Sequence, residues 1–206
     1  MKKLHIKLPR EARLDSIDEL LCKLKWDYHD QITVDFSEVD FIEISALTLL
    51  SAFLLGAKKI KLFKRGNLIS SRDKNVETYI KRMNFYKILD VNAEEDFMRW
   101  NGTGRFQEII QITKENEVQD VVENLRKILE KQSKLPKSFI KIMEYSLSEV
   151  LENVFHHADS PIGGLVSAQT YSAIGKVQFA IVDFGKGIPK TLRTIPKYIH
   201  LQDEES

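Results

Sequence analysis

The chain has 206 residues, of which 43% are hydrophobic, so it can bury a core and is not expected to be disordered. Its 31 basic and 30 acidic residues give a net charge of +1, which offers no electrostatic reason to expect a nucleic acid or an anionic membrane as partner. The single cysteine, Cys22, excludes an internal disulfide framework, and we expect a cytoplasmic protein.

The first half of the chain alternates between strand-like and helix-like patterns. Alternating apolar and polar residues predict strands, and apolar residues at helical spacing predict helices. The predicted strands are Leu4 to Leu8, Ile32 to Phe36, Lys59 to Phe63 and a short strand or extended end at Lys87 to Val91. The predicted helices are Asp15 to Leu24, Glu43 to Ala57 and Asn75 to Met83, and Arg65-Gly66-Asn67 predicts a turn. This order is typical of an α/β layer domain.

The second half follows an acidic and glycine-containing stretch at residues 92–104. We place a domain boundary there, which divides the chain into residues 1–95 and 96–206. The predicted strands are Arg105 to Thr113, Leu165 to Tyr171 and Lys176 to Val182. The predicted helices are Glu117 to Gln132 and Lys137 to Ala158, and the apolar stripe predicted for the second is Ile140, Met143, Leu147, Val150 and Val154.

Glu149 and Asn153 are four residues apart in the long predicted helix, so they lie on one face of it and away from the apolar stripe. A carboxylate can act as a general base on a water molecule. An amide oxygen is a hard, neutral ligand suited to Mg²⁺, which keeps several waters and bridges substrate phosphates. The same spacing is also found on ordinary solvated helix faces, so the pair alone does not identify a site.

The segment Asp183-Phe184-Gly185-Lys186-Gly187 directly follows a predicted buried strand. A carboxylate at the end of such a strand can accept a hydrogen bond from an exocyclic amine such as that of adenine. The two glycines, Gly185 and Gly187, allow close approach of the backbone to a ligand. An ordinary turn between a strand and a loop would use the same residue types.

Taken together, the two motifs resemble the GHKL ATPase superfamily, which includes gyrase, Hsp90, histidine kinases and MutL. Glu149-x-x-x-Asn153 resembles the N box of that superfamily, and Asp183-x-Gly185-x-Gly187 followed by Ile188-Pro189 resembles its G1 box. The anti-sigma-factor serine kinase branch is the most similar, because its N box also has Glu four residues before Asn.

The resemblance implies a role for each of these residues with ATP and Mg²⁺. Asn153 would hold Mg²⁺, Glu149 would be the catalytic general base, and Asp183 would bind the adenine amine. Gly185 and Gly187 would shape the adenine pocket and the start of a lid, and His157 would lie near the ribose or phosphates. The glycine-rich G2 segment of the superfamily does not follow in residues 190–206. The chain is therefore expected to be a fragment of a longer protein or a degenerate member.

Residues 31–91 resemble a STAS domain, the fold of anti-sigma-factor antagonists. Asp35-Phe36-Ser37 resembles the end of the first motif strand, and Glu43-Ile44-Ser45-Ala46-Leu47 resembles the start of the helix that follows it. Ser45 falls where antagonists carry a phosphorylated serine, and a helix N-terminus stabilises a phosphate. Ile44 and Ala46 replace the first serine and the glycine of that motif, and a helix-capping serine is the other interpretation.

The expected fold class is α/β (α+β): a STAS-like α/β domain followed by a GHKL-type α/β sandwich that is incomplete at its C-terminus. The expected function is that of a regulatory protein that binds ATP and Mg²⁺ and signals through phosphoryl transfer, hydrolysis or lid closure. The expected partner is another regulatory protein, with a homo-oligomer also open, and no nucleic acid or membrane. The alternative is a non-catalytic protein-interaction scaffold that keeps both folds.

Overall fold

The computed structural model describes residues 1–23, 27–99, 102, 104–132 and 135–187. Over these residues the fold is mixed α/β, with a parallel three-stranded sheet, a parallel two-stranded pair and an antiparallel three-stranded sheet. The helices and strands that precede residue 95 are β1 (Lys3–Lys7), β2 (Glu11–Ala12), α1 (Leu14–Cys22), β3 (His29–Asp35), β4 (Phe41–Ile42), α2 (Ile44–Lys59), β5 (Phe63–Ile69), α3 (Lys74–Arg82) and α4 (Phe85–Ile88). Those that follow it are β6 (Phe106–Ile112), α5 (Val118–Gln132), α6 (Lys137–Asn153), β7 (Gly164–Tyr171) and β8 (Lys176–Asp183).

The parallel sheet has the order β1-β3-β5, with the β-branched strand β3 in the centre. Ile32 and Val34 of β3 are buried, and they pair in register with Leu4 and Ile6 of β1. These side chains share one face of the sheet because alternate residues of a strand point the same way. They belong to the same hydrophobic core as α2, which is buried on nearly all sides.

The turn predicted at Arg65-Gly66-Asn67 is wrong, because these residues lie inside strand β5 and pair with β3. The strand predicted from Lys59 to Phe63 is also wrong. Helix α2 continues through Lys59, and the reversal occurs at Lys61, which has a left-handed backbone with φ +58°. Pairing with a neighbouring strand therefore overrides the local preference of glycine for turns.

The strand or extended end predicted at Lys87 to Val91 is wrong as well, because Phe85–Ile88 forms the short helix α4. Asn84 reverses the chain with φ +64° after α3 ends. Phe85 is fully buried, and its ring meets that of Phe36 edge to face with 5.3 Å between centroids. The helical turn thus brings Phe85 into the core, where it packs against the end of β3.

Helices α5 and α6 cover one face of the antiparallel sheet, whose strand order is β6-β7-β8. Regular helix ends at Asn153 and is followed by a π-helical turn at Val154–Ala158, where the sequence predicted continuous helix. The predicted apolar stripe of α6 is partly wrong, since Val150 is 49% exposed and Leu151 is buried instead. A helix with 3.6 residues per turn buries 147, 151, 154 and 158 on one face, which leaves 150 on its flank.

The opposite face of the antiparallel sheet is covered by helix α2 of the first half. Side-chain hydrogen bonds from α2 to this sheet include Thr48 with Ser167 at 2.6 Å and Gln178 to Ser45 at 3.0 Å, and Tyr79 of α3 donates to Gln169. Leu165 of β7 belongs to the same core as the parallel sheet and its helices. The two sheets lie on either side of residue 95 in the chain, but they share one helix.

Thr48→Val is expected to destabilise the protein by about 1–3 kcal/mol, because it leaves a buried hydroxyl without a partner. The Thr48 hydroxyl donates to the carbonyl of Ile44 at 2.7 Å, so the Ser167 hydroxyl must donate to Thr48. Denaturant unfolding measures the effect. The double variant Thr48→Val, Ser167→Ala should recover most of the loss, since it removes both hydroxyls. Equal destabilisation by the single and double variants would contradict this interpretation.

Among the helices in the described part of the chain, none combines the length and the apolar character that crossing a membrane would require.

Candidate functional site

Glu149 and Asn153 lie on the exposed side of α6, opposite the residues that pack on the sheet. Leu147, Leu151 and Val154 face the sheet and are buried. The Asn153 side chain makes no capping hydrogen bond to the π-helical turn that follows it. The Glu149 carboxylate lies one turn from Tyr145 and raises the pKa of the Tyr145 hydroxyl. The helix therefore presents a carboxylate and an amide together on its outer face, as the spacing predicts.

Asp183 is the last residue of β8 and lies on the face of the antiparallel sheet that α5 and α6 cover. Val177, Phe179 and Ile181 of the same strand pack against α5 and α6, and Asp183 shares their parity. Its neighbour across the ladder is Gly164, which pairs with it in the antiparallel register. A Cβ at Gly164 would meet Cγ1 of Val154 at 3.3 Å, so the end of α6 comes close to the sheet beside Asp183.

The residues after Asp183 dock on the end of the π-helical turn. The backbone N–H of Lys186 donates to the carbonyl of Ala158 at 2.7 Å, and that of Phe184 donates to the Ser160 hydroxyl at 3.1 Å. The Asp183 carboxylate accepts from the N–H of Gly185 at 2.7 Å, which forms a tight turn. These bonds fix the start of the glycine segment against the C-terminal end of the helix that bears Glu149 and Asn153.

Gly185 is required at its position because the two backbones nearly touch there. A Cβ on Gly185 would lie 2.1 Å from the carbonyl oxygen of Ala158, well inside contact distance. Next to it, Lys186 forms an ion pair with Asp159 at 2.6 Å, and Asp159 has a left-handed backbone with φ +51°. Gly187 also has a positive φ of +71°. In the structure Gly185 therefore allows close approach to the Ala158 backbone and Gly187 allows a turn, while the predicted approach to a ligand stays a prediction.

His157 lies within the π-helical turn, one residue before the Ala158 carbonyl on which the glycine segment docks, and its side chain is exposed. A π-helical turn is rare and is often found at functional sites. Sequence reasoning did not identify Ala158, Asp159 and Ser160 as neighbours of the Asp183 segment. Only the Asp159-Ser160-Pro161 turn signal after the helix could have pointed to them.

Ser45, the predicted phospho-acceptor, lies in the first turn of α2 and is only 5% exposed. Its hydroxyl accepts a hydrogen bond from the side-chain amide of Gln178 on β8. The N-cap residue of α2 is Glu43, whose side chain makes no capping hydrogen bond. In this arrangement Ser45 belongs to the junction between α2 and the antiparallel sheet, and its hydroxyl faces protein instead of solvent.

The concave regions that the described residues form outside this constellation include a cleft along β5 and a groove between α5 and α6. The β5 cleft, of about 560 Å³, has a partly apolar lining that includes Ile32, Leu54, Phe63 and Leu89, with Lys58 and Tyr86 among its polar residues. Burial raises the pKa of the Tyr86 hydroxyl, which donates to Glu77 at 2.8 Å. A groove of about 670 Å³ runs between α5 and α6 and includes Tyr145 and Glu152. Neither includes Asp183, Glu149 or Asn153.

In the part of the chain that the structure describes, no group of three or more His, Cys, Asp or Glu residues is arranged to hold a metal ion. No protein-family model, curated protein or solved structure matches the chain.

Proposed function

We propose that this protein binds ATP and Mg²⁺ as a regulatory protein of the GHKL type, with a STAS-like unit formed by its first half. The observation that carries the proposal is the docking of the Asp183–Gly187 segment on the end of the π-helical turn that follows α6, the helix that presents Glu149 and Asn153. The docking supports the proposal because it ties the segment that carries the proposed adenine acceptor to the turn that follows the proposed phosphate-side residues. An ordinary solvated helix face gives no reason for such docking.

Each residue has a chemical role in the proposal. The Asp183 carboxylate accepts a hydrogen bond from the adenine amine, and the glycine at 185 lets the backbone lie close beside it. Asn153 offers an amide oxygen on an exposed helix face, which suits Mg²⁺ because the ion also keeps waters and phosphate oxygens. Glu149, one turn away, orients a water or hydroxyl as general base. His157 contacts the ribose or a phosphate from the π-helical turn.

Mg²⁺ supplies charge neutralisation for the phosphates when it is bound. In the proposal Asp183 binds the adenine ring and Glu149 orients the attacking water or hydroxyl. The hydrogen bonds to Ala158 and Ser160 hold the segment that carries Asp183 in place. Phosphoryl transfer, hydrolysis and lid closure all remain compatible with this set of residues. Phosphorylation of Ser45 within the same molecule would require α2 to leave β8, because the hydroxyl is buried under Gln178.

Asn153→Ala is expected to remove the Mg²⁺-dependent part of ATP binding, because the amide oxygen that holds the ion is lost. Calorimetric titration of ATP with and without Mg²⁺ should show tighter binding with Mg²⁺ for the unsubstituted protein. That difference should fall by about tenfold or more in the variant, the size expected from one hydrogen-bonding or ligating group at a charged site.

Asn124→Ala, at an exposed position of α5, is the matched control and should bind as the unsubstituted protein does. Retention of the full Mg²⁺ effect in Asn153→Ala would disprove the assigned role. Absence of any ATP binding at millimolar concentration by the unsubstituted protein would overturn the proposal itself. The scaffold alternative would then be the better account of the shared helix α2.

A further inference from the structure

Helix α2 contains a glycine in its interior, Gly56, where almost any other residue would favour the helix more. Glycine in a helix interior costs about 0.5–1 kcal/mol relative to alanine. Gly56 is also buried, so solvent exposure does not account for its presence. The position therefore needs a packing reason.

The packing reason is the ring of Phe184, the residue between Asp183 and Gly185. A Cβ at Gly56 would lie 2.3 Å from Cγ of Phe184 and 2.6 Å from both Cδ atoms. Three ring atoms at such similar distances mean that the ring lies against the backbone of α2. Phe184 belongs to the core shared with the first half of the chain.

Phe184, the first residue after β8, packs into the core on the α2 side of the antiparallel sheet, whereas Asp183 has the parity of Ile181, which packs on the α6 side. The segment is thus held from two directions. Its backbone is bonded to Ala158 and Ser160, and its ring is seated on Gly56.

We propose that the contact between Phe184 and Gly56 positions the Asp183–Gly185 segment for the nucleotide, so that helix α2 sets the affinity of the site. This inference rests on the proposed function. It adds that nucleotide affinity depends on α2, a helix of the first half of the chain. Gly56 and Phe184 are positioning residues, which act through the backbone of Asp183 and Gly185. Leu54 and Lys58 lie two residues before and after Gly56, and both line the β5 cleft. The same part of α2 therefore contacts Phe184 and forms a wall of the cleft in the first half of the protein.

The first measurement is hydrogen exchange without nucleotide. The amides of Phe184, Gly185 and Lys186 are hydrogen-bonded in the docked segment. Gly56→Ala should accelerate their exchange, because the added methyl group displaces the ring. The amides of β3 serve as the internal control and should keep their protection, which separates a local shift from general unfolding.

The second measurement is ATP affinity in a double-mutant cycle. Gly56→Ala should weaken binding about tenfold, within the range of coupling found between contacting residues. Phe184→Ala should weaken binding less, since it removes the ring without adding atoms. The double variant should bind like Phe184→Ala alone, because the methyl group no longer meets a ring.

Unchanged amide exchange in both single variants would overturn the inference. The same holds if Gly56→Ala weakens ATP binding equally with and without the Phe184 ring. If Gly56→Ala does not fold, Phe184→Ala carries the test, and faster exchange of the segment with weaker ATP binding is its expected result. If the unsubstituted protein binds no ATP, the proposed function fails, while the exchange measurement still decides whether the ring positions the segment.

Discussion

Asp183→Asn is expected to weaken ATP binding by roughly 10- to 100-fold, because a hydrogen bond to a charged acceptor contributes more than one between neutral groups. Asparagine still offers an oxygen to the N–H of Gly185, so the turn that Asp183 forms should survive. What it lacks is the negative charge and the second acceptor oxygen that the adenine amine would use. Calorimetric titration with ATP and ADP measures the loss.

Asp159→Asn is the matched control, because it removes a carboxylate from the turn on which the segment docks. Asp159 forms an exposed ion pair with Lys186, and asparagine tolerates its left-handed backbone. Exposed pairs of this kind contribute about 1 kcal/mol at most, so ATP affinity should change little. GTP, which has a carbonyl oxygen in place of the 6-amino group of adenine, should bind weakly to the unsubstituted protein. Equal ATP affinity of Asp183→Asn and the unsubstituted protein would exclude Asp183 as the adenine acceptor.

Gly185→Ala is expected to abolish measurable ATP binding and to lower the free energy of unfolding by about 1–3 kcal/mol, as overpacking does. Its Cβ would lie 2.1 Å from the Ala158 carbonyl oxygen and 2.8 Å from the Ala158 Cβ. Backbone atoms of a helix end cannot rotate away, so the segment has to move and the bond from Lys186 to Ala158 has to lengthen. Titration and denaturant unfolding on the same sample measure both effects.

Gly66→Ala gives the control for a glycine replaced without a backbone collision. A Cβ there would meet only the ring of Phe63, at 3.4 Å. That contact is a normal one, and the position lies in β5, far along the chain from the docked segment. ATP affinity should be unchanged. If Gly185→Ala retained ATP binding while remaining folded, docking of the segment on Ala158 would not be needed for the nucleotide.

The second half of the fold could largely be predicted from the sequence, because its periodicities are strong. Alternation of Val177, Phe179 and Ile181 predicts the strand that becomes β8, and these residues do face the helices. The helical period predicts that Glu149 and Asn153 share a face of α6, which they do. Their roles with a metal and a nucleotide remain predictions.

The first half shows where local signals fail. Gly66 and its neighbours read as a turn, yet they form β5 because a paired strand satisfies their backbone groups. The reversal lies instead at Lys61, whose positive φ is not expected for lysine. Phe85 is drawn into the core by Phe36, a contact between residues distant in sequence. No pattern confined to a window of a few residues contains that information.

At the candidate site, residue types could be predicted but contacts could not. The sequence indicated flexibility or close approach at Gly185, without indicating that Ala158 is what approaches it. It likewise gave no reason for Gly56 or for the burial of Ser45, because both depend on α2 packing against β7 and β8. Such packing joins residues more than a hundred positions apart.

The sharing of α2 between two sheets has a consequence for dividing the protein. A fragment that ends near residue 95 would expose the side of α2 that carries Thr48 and Gly56, and the complementary fragment would expose Leu165 and Ser167. Exposed apolar faces of this kind promote aggregation in isolated pieces. The two fragments should instead be soluble when produced together and should reassemble by reburying the same faces. The two halves are therefore expected to behave as complementary fragments of one fold and not as independent modules.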